Sequence, residues 1–190
     1  MQIRGTILLV LALIAFPLIA GASPLSIDWG KTHLHAPEIK SFRHARGSVE
    51  NQFIFYYGNL HGIDAEIQLS FIGGIISDAV VIIGSDGLNS ENCLEVYKTF
   101  NEVLNKKYGK PILTKITSDP MANDLLYSSI CNSIQIGLYE TEATWVYKNY
   151  KISSLLWGDQ REIFIEISYY NTPIWGLKTK LQNSKLLQSL

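Results

Sequence analysis

The clearest pattern of hydrophobic and polar positions is a strict alternation over residues 63–71. Apolar residues occupy five positions of this stretch, and polar residues occupy the four positions between them. Successive side chains of a strand point to opposite faces of a sheet, so the alternation predicts a strand with one packed face and one face in water. Residues 162–170 alternate isoleucine and tyrosine with mostly polar residues and predict a second strand of this kind.

Shorter apolar or aromatic stretches predict the other strands. Residues 75–83 are apolar at nearly every position and follow a pair of glycines that favours a turn. Residues 149–150 and 158–160 are predicted turns of a C-terminal meander. Residues 23–46 have no regular pattern, and residues 119–131 fit either a short helix or a loop. The remaining predicted strands cover residues 51–57, 112–117, 133–139, 143–148 and 151–157.

The best-marked element is a helix over residues 90–108. Asn89 or Ser90 can cap its start, and Gly109 followed by Pro111 provides a typical end. At 100° per residue, one half of the helix surface collects its apolar residues, with Cys93 near the centre. This half carries Cys93, Leu94, Val96, Tyr97, Phe100, Val103, Leu104 and Tyr108.

Together these elements predict an α+β domain. Its sheet is mainly an antiparallel meander, and one principal amphipathic helix packs on one face of the sheet. We expect a single domain over residues 23–172. The tail at residues 173–190 is weakly amphipathic, and a docked helix and a frayed end are the two alternatives for its structure.

The N-terminus has the pattern of a secretory signal peptide over residues 1–22. Arg4 precedes an apolar run, and Ala20-Gly21-Ala22 forms an Ala-x-Ala cleavage site. An uncleaved anchor is the alternative, but Pro17 interrupts an apolar stretch that is already short for a span of about 20 residues. We therefore expect a periplasmic or secreted protein with no stable membrane span after cleavage. The mature chain lacks an Asn-x-Ser/Thr sequon, which favours a bacterial periplasm.

Cys93 and Cys131 are the two cysteines of the chain. In an oxidising compartment an even pair predicts a disulfide, whereas two separate buried thiols are the alternative. Since Cys93 is at the centre of the apolar helix face, the bond would hold that face inward.

Composition and charge exclude one class of partner. The chain has 190 residues and a formal net charge of −1, and it contains no block of lysine or arginine. Binding nucleic acid depends on neutralising phosphates with clustered cations, so nucleic acid is not an expected partner.

Several short motifs follow one another between residues 29 and 170: Trp29-Gly30, the strand from Gly62, Phe71 before a glycine turn, the helix end Lys107–Pro111, Trp145, and Tyr169-Tyr170. In this order they resemble a loose group of small bacterial exported proteins and lipoproteins. Members share a strand–strand–helix–meander unit in which the helix ends Tyr-Gly-x-Pro. The group has no agreed activity, so the resemblance implies a fold and export and assigns no functional residue.

Three histidines could in principle bind zinc. His33 and His35 would lie on one face of an extended segment, and His44 or His61 could add a third ligand. No His-Glu-x-x-His motif accompanies them, and solvent-exposed or capping histidines are the simpler interpretation. We predict no metal site and no cofactor.

Carboxylates are the other candidates for chemistry. Asp64, Glu66, Glu162 and Glu166 fall on the polar faces of the two alternating strands and would form an acidic sheet surface. Paired carboxylates can hydrolyse glycosides, but they need a cleft and a partly buried member. The chain also lacks the nucleophile-elbow and phosphate-loop motifs, so no catalytic residue is predicted.

Aromatic residues are the strongest signal for binding, since the chain has ten tyrosines and four tryptophans. Aromatic side chains beyond those that a core needs can form a recognition surface, although sheet packing also favours them. The candidates are the aromatic residues whose positions alternate away from the expected core face: Tyr56, Tyr147, Tyr150, Trp157 and Tyr170.

These observations predict an exported, non-enzymatic binding protein of the bacterial envelope, of adaptor, assembly-accessory or inhibitor/immunity type. It would bind an envelope or secreted protein through an aromatic-rich sheet surface. A periplasmic hydrolase is the first alternative and would need a concave pocket joining His33, His35 or His61 to Asp64 or Glu66. A small-ligand carrier with a cavity between sheet and helix is the second alternative.

Overall fold

The computed structural model of the chain describes residue 25 and the ranges 27–29, 31–60, 63–84, 88–118 and 130–177, together with residue 180. The predicted signal peptide and His61 lie outside the described residues. The strands are β1 (Phe42–Ser48), β2 (Phe53–Leu60), β3 (Ile63–Ile72), β4 (Ile75–Ile83), β5 (Leu113–Ser118), β6 (Tyr139–Tyr147), β7 (Tyr150–Gly158) and β8 (Ile163–Asn171), and the helices are α1 (Cys93–Tyr108) and α2 (Ile130–Gln135). Residues 172–177 are also helical.

The eight strands form one antiparallel sheet in the order β1-β2-β3-β4-β8-β7-β6-β5. Two four-stranded meanders therefore lie side by side and meet where β4 pairs with β8. α1 lies between them in the sequence and leads from β4, in the middle of the sheet, to β5 at its edge. The predicted α+β class, with its antiparallel meander sheet and one principal helix, is confirmed.

The strand register defines two faces of the sheet, because directly paired residues of neighbouring strands lie on the same face. One row runs through Ala143, Ser154, Ile167, Val81, Ile67 and Tyr56, and we call the side that carries it the covered face. The adjacent row points to the other side, which we call the open face, and consists of Thr144, Ser153, Ser168, Val80, Gln68 and Phe55.

α1 covers one half of the covered face. Its buried side chains are Cys93, Tyr97, Phe100, Leu104 and Tyr108. The Tyr97 hydroxyl donates to a backbone carbonyl of β6 or β7, with Thr141 O at 3.2 Å and Ser154 O at 3.1 Å. The predicted disulfide is confirmed, since Cys93 is bonded to Cys131 and thereby joins the start of α1 to α2.

The segment at residues 27–41 covers the other half. Trp29 is 1% exposed and packs its ring against Tyr150 of β7, with the centroids 5.4 Å apart. Further along, the His33 amide donates to Gly74 O at 2.8 Å. The Tyr56 hydroxyl of β2 donates to Pro37 O at 2.7 Å. The segment therefore crosses the covered face from β7 to β2 before it enters β1.

Two predicted elements differ from the structure. Residues 23–46 were expected to be irregular, yet β1 begins at Phe42; a register shift between His44 and Arg46 breaks the period-two pattern that would have indicated it. The predicted strand at 133–139 is wrong. Residues 130–135 form α2 instead, and Cys131 and Ile134 are buried on one side of this helix.

Two element boundaries also move. The turn predicted at residues 149–150 lies one residue earlier, because Lys148 takes a positive φ of 53° and Tyr150 already pairs in β7. α1 begins at Cys93 rather than Ser90. The Asn89 side chain nevertheless acts as a cap, since its Oδ1 accepts the amides of Glu91 and Asn92 at 2.8 and 3.0 Å in the turn before the helix.

Candidate functional site

The open face carries a row of charges that crosses all eight strands. In strand order the row reads Arg43, Tyr57, Glu66, Ile82, Glu166, Leu155, Glu142 and Lys115. Its carboxylates occupy the middle, and its two cations occupy the edge strands. With strands about 4.8 Å apart, Glu66 and Glu166 lie about 10 Å from each other and are separated by Ile82.

The predicted acidic sheet surface is present for three of its four residues. Asp64, Glu66 and Glu166 share the open face. Glu162 does not, because it lies in the turn before β8, where its amide donates to Asp159 Oδ1 at 3.0 Å.

Large apolar side chains are also exposed on the open face. They lie on β2 at one end of the sheet and on β5, β6 and the C-terminal residues at the other. Their exposed fractions are 42% for Phe53 and Tyr57, 43% for Trp175, 52% for Leu113 and 56% for Val146. Short polar residues lie between them, of which Thr144 and Ser168 are buried.

Aromatic pairs organise the half-buried part of this face. Trp157 stacks on Phe164 with ring centroids 4.9 Å apart. Tyr170 contacts Trp175 edge-to-face at 5.6 Å, which brings residues 172–177 onto the same face. The Arg46 guanidinium lies 4.4 Å from the centre of the Phe55 ring, a cation–π distance.

Two of the five predicted binding residues, Trp157 and Tyr170, lie on the open face. The placement expected for the other three is wrong, because Tyr56, Tyr147 and Tyr150 point to the covered face. Tyr56 is 2% exposed. Tyr147 packs on Tyr108 at 5.4 Å, and Tyr150 packs on Trp29. Burial raises the pKa of Tyr56 to about 12, so this hydroxyl is a neutral donor in the core.

The sequence misplaced Tyr56 because β2 is apolar at almost every position. The run from Phe53 to Tyr57 has no period-two contrast, so either face could have been the buried one. Only the pairing of Tyr56 with the buried Ile67 decides it. The residues missed on the open face are Phe53, Phe55, Tyr57, Phe164 and Trp175.

A cleft of about 1010 Å³ lies at the end of the sheet where β2 leads to β3. Lys40 and Arg43 line it from the β1 side, and Asp64 and Glu66 line it from β3. No described histidine lines the cleft. His33 and His44 instead contact backbone carbonyls, with Nε2 at 2.7 Å from Asp28 O and at 3.0 Å from Gly47 O respectively.

One buried carboxylate belongs to the sheet rather than to the cleft. Asp78 is 8% exposed and accepts hydrogen bonds from the hydroxyls of Ser70 and Ser77, both at 2.7 Å. These residues surround the register shift between β3 and β4 after Ser70. Hydrogen bonds from both serines satisfy the charge, so the cluster stabilises an irregular strand pair.

Within the described ranges, no three His, Cys, Asp or Glu side chains come together in an arrangement that could hold a metal ion. In the same part of the chain no helix combines the length and the apolar character that a membrane span requires. No family model, curated protein or solved structure matches this chain.

Proposed function

We propose that this chain is an exported, non-enzymatic binding protein of the bacterial envelope and that the open face is its binding surface. One observation carries the proposal: five large apolar side chains on this face are 42–56% exposed. Exposed apolar groups that share one surface are typical of protein interaction sites. The partner we propose is an envelope or secreted protein.

The chemistry of the open face suits a protein partner. Aromatic side chains are enriched among the residues that contribute most to protein–protein binding, and charged residues are commoner at the rim. Here Phe53 and Tyr57 lie on β2, next to the edge strand β1, and the cations Arg43 and Lys115 lie on the two edge strands, while the carboxylates of the row lie on the strands between them. Such charges steer association and select partners.

The disulfide supports the export part of the proposal. Cys93–Cys131 is compatible with an oxidising compartment outside the cytoplasm. An adaptor, an envelope-assembly accessory and an inhibitor or immunity protein would all use a rigid, disulfide-held scaffold of this kind. The identity of the captured partner would distinguish them.

Site-specific photocrosslinking in the exporting bacterium tests the proposal. A photoreactive phenylalanine would replace Tyr57 on the open face or, as the control, Val103, which was predicted on the packed half of α1 but is 47% exposed at its flank. We expect one defined protein adduct from position 57 and none from position 103. Tyr57→Lys should abolish capture of that protein by the tagged chain and leave thermal unfolding unchanged. Equal adducts from both positions, or none, would contradict the proposal.

The hydrolase alternative is favoured by one feature, the cleft in which Asp64 and Glu66 meet. Paired carboxylates at a cleft can act as general acid and base. The purified protein would be assayed on chromogenic glycosides beside its Glu66→Gln variant. We expect no turnover by either protein, whereas turnover that Glu66→Gln abolishes would replace the binding proposal with a hydrolase.

A further inference from the structure

The two edges of the sheet differ in how they meet solvent. All six residues of β5 are exposed. β1 is the opposite edge, and it carries a register shift next to three basic or histidine side chains, Arg43, His44 and Arg46. Bulges and charges of this kind prevent another strand from adding to an edge. In β5, Lys115 is the one charged residue that could protect the edge in this way.

A groove of about 480 Å³ runs beside β5 on the covered side, between this strand and α1. Exposed apolar side chains line it: Ile116 is 60% exposed, Ile130 47% and Leu94 39%. On the open side of the same strand Leu113 is 52% exposed. A strand added to β5 would place alternate side chains in the groove and above Leu113.

We propose that β5 binds an extended segment of a partner polypeptide as a ninth strand of the sheet. An edge strand presents unpaired backbone N–H and C=O groups, and only an extended chain can pair with them in register. The segment would carry apolar side chains toward the groove at every second position. This site shares Leu113 and Lys115 with the open-face surface, but it also needs the β5 backbone and the groove on the covered side, and it would exist even if the rest of that surface bound nothing.

Charge determines one further property of the segment. Lys115 points to the open side, opposite Glu142 of β6, and makes no ion pair with a described residue. A carboxylate opposite Lys115 on the added strand forms a favourable cross-strand pair, whereas a lysine there is repelled. The segment is therefore apolar on its groove side and carries a carboxylate opposite Lys115 on its other side.

A second copy of this chain fits β5 less well. Two copies joined through β5 would form a sixteen-stranded sheet, whereas twisted open sheets rarely exceed about ten strands. In one of the symmetric registers, the Lys115 side chains of the two copies would also lie opposite each other and repel.

The first test uses the purified chain with its disulfide intact and a fluorescein-labelled peptide. In the peptide, valine and threonine alternate around one central glutamate. We expect saturable binding and slower hydrogen exchange confined to the β5 amides. Replacing the glutamate by lysine should weaken binding about tenfold. N-methylation of alternate peptide amides should abolish it, because strand pairing needs those donors. Protection of another segment, or equal binding of the methylated peptide, would overturn the proposal.

Variants of the protein complete the test. Ile116→Lys should weaken binding of the glutamate peptide about tenfold or more. Val103→Lys, at an exposed position of α1 that does not line the groove, is the matched control and should not weaken it. Lys115→Glu should reverse the preference between the glutamate and lysine peptides. Tyr57→Lys should leave peptide binding intact, which separates this site from the proposed function. A concentration-dependent dimer that Ile116→Lys abolishes would instead identify a second copy as the occupant and overturn the proposal.

Discussion

The two faces of this sheet are built from the same strands, yet they differ in how much of each face other parts of the chain cover. In β2 the neighbours Ile54 and Phe53 are 0% and 42% exposed. The difference does not come from composition, because both side chains are large and apolar. It comes from the connections: α1 and the segment at residues 27–41 both pack on the covered face. Stability is therefore concentrated on the covered face, whereas several large apolar side chains stay exposed on the open face.

Polar groups follow the same division. On the covered face the Ser154 hydroxyl donates to Asn101 Oδ1 at 2.6 Å, and the Trp145 indole donates to Asn105 Oδ1 or to Gly109 O at 3.1 and 3.0 Å. Each joins α1 to the sheet, so its polar residues fix the position of the helix. On the open face Glu66 and Glu142 lie in a row that ends in cations. Glu142 and Glu166 accept hydrogen bonds from Thr144 and Ser168 of their own strands, at 3.3 and 2.8 Å, so these contacts do not join one element to another.

Removing the disulfide, which lies on the covered face, is expected to cause a large loss of stability. Cys93 and Cys131 are separated by 38 residues, and closing a loop of this length stabilises a fold by about 4 kcal/mol in the chain-entropy model. The Cys93→Ala/Cys131→Ala protein should lose about 2–4 kcal/mol in the free energy of unfolding, measured by urea titration. The wild type refolded in reductant should match it.

Reductant itself is the control for this experiment. Because the double variant has no disulfide, reductant should leave its unfolding curve unchanged. Equal stability of oxidised and reduced wild type would show that the bond does not hold α1 on the sheet. Binding of the partner by the folded double variant should persist, since both sulfurs lie on the side away from the open face.

The next largest effect is a loss of stability at alkaline pH. Burial raises the pKa of Tyr56 in the folded state to about 12, whereas an unfolded tyrosine titrates near 10. Below pH 10 the hydroxyl is protonated in both states. Between pH 10 and 12 the unfolded state ionises first, so the folded state loses about 3 kcal/mol from this residue as the pH rises, at 1.36 kcal/mol per unit.

Tyr56→Phe isolates that contribution. At pH 7 it should cost about 1 kcal/mol, because the hydrogen bond to Pro37 O is lost. Between pH 10 and 12 its free energy of unfolding should then fall less steeply than that of the wild type. Tyr57→Phe, one residue further on and on the open face, is the matched control. Parallel curves for wild type and Tyr56→Phe would refute the assignment.

Where local pattern and burial agree, the fold could be predicted from the sequence. β3 alternates strictly, and α1 has one apolar side and a glycine end, so both elements were found. β1 was missed because its bulge breaks the alternation, and α2 was mistaken for a strand because it is only six residues long. β1 is recognised only from its pairing with β2, and α2 is recognised only from the disulfide that joins it to α1.

The candidate site was harder to predict than the fold. Trp157 and Tyr170 lie on the open face as predicted. Tyr150 does not, although it lies in the same strand as Trp157, because it already pairs in β7 at a position where a turn was predicted. Tyr56 was misplaced because its neighbours in β2 are also aromatic, and its face is decided by pairing with another strand. Trp175 was missed because its packing on Tyr170 depends on how the chain turns after β8.

The smallest expected effect is on the open face and tests the comparison most directly. Phe53→Ala removes a ring that is 42% exposed and pairs across β2 and β3 with Ser70. It should change the free energy of unfolding by less than about 1 kcal/mol. Ile54→Ala, the next residue along, removes a smaller side chain that is 0% exposed and should cost about 2–5 kcal/mol. If the two variants lost equal stability, the open face would be part of the core. If Phe53→Ala kept its stability but captured less partner than wild type, the ring would serve recognition, as the division between the faces requires.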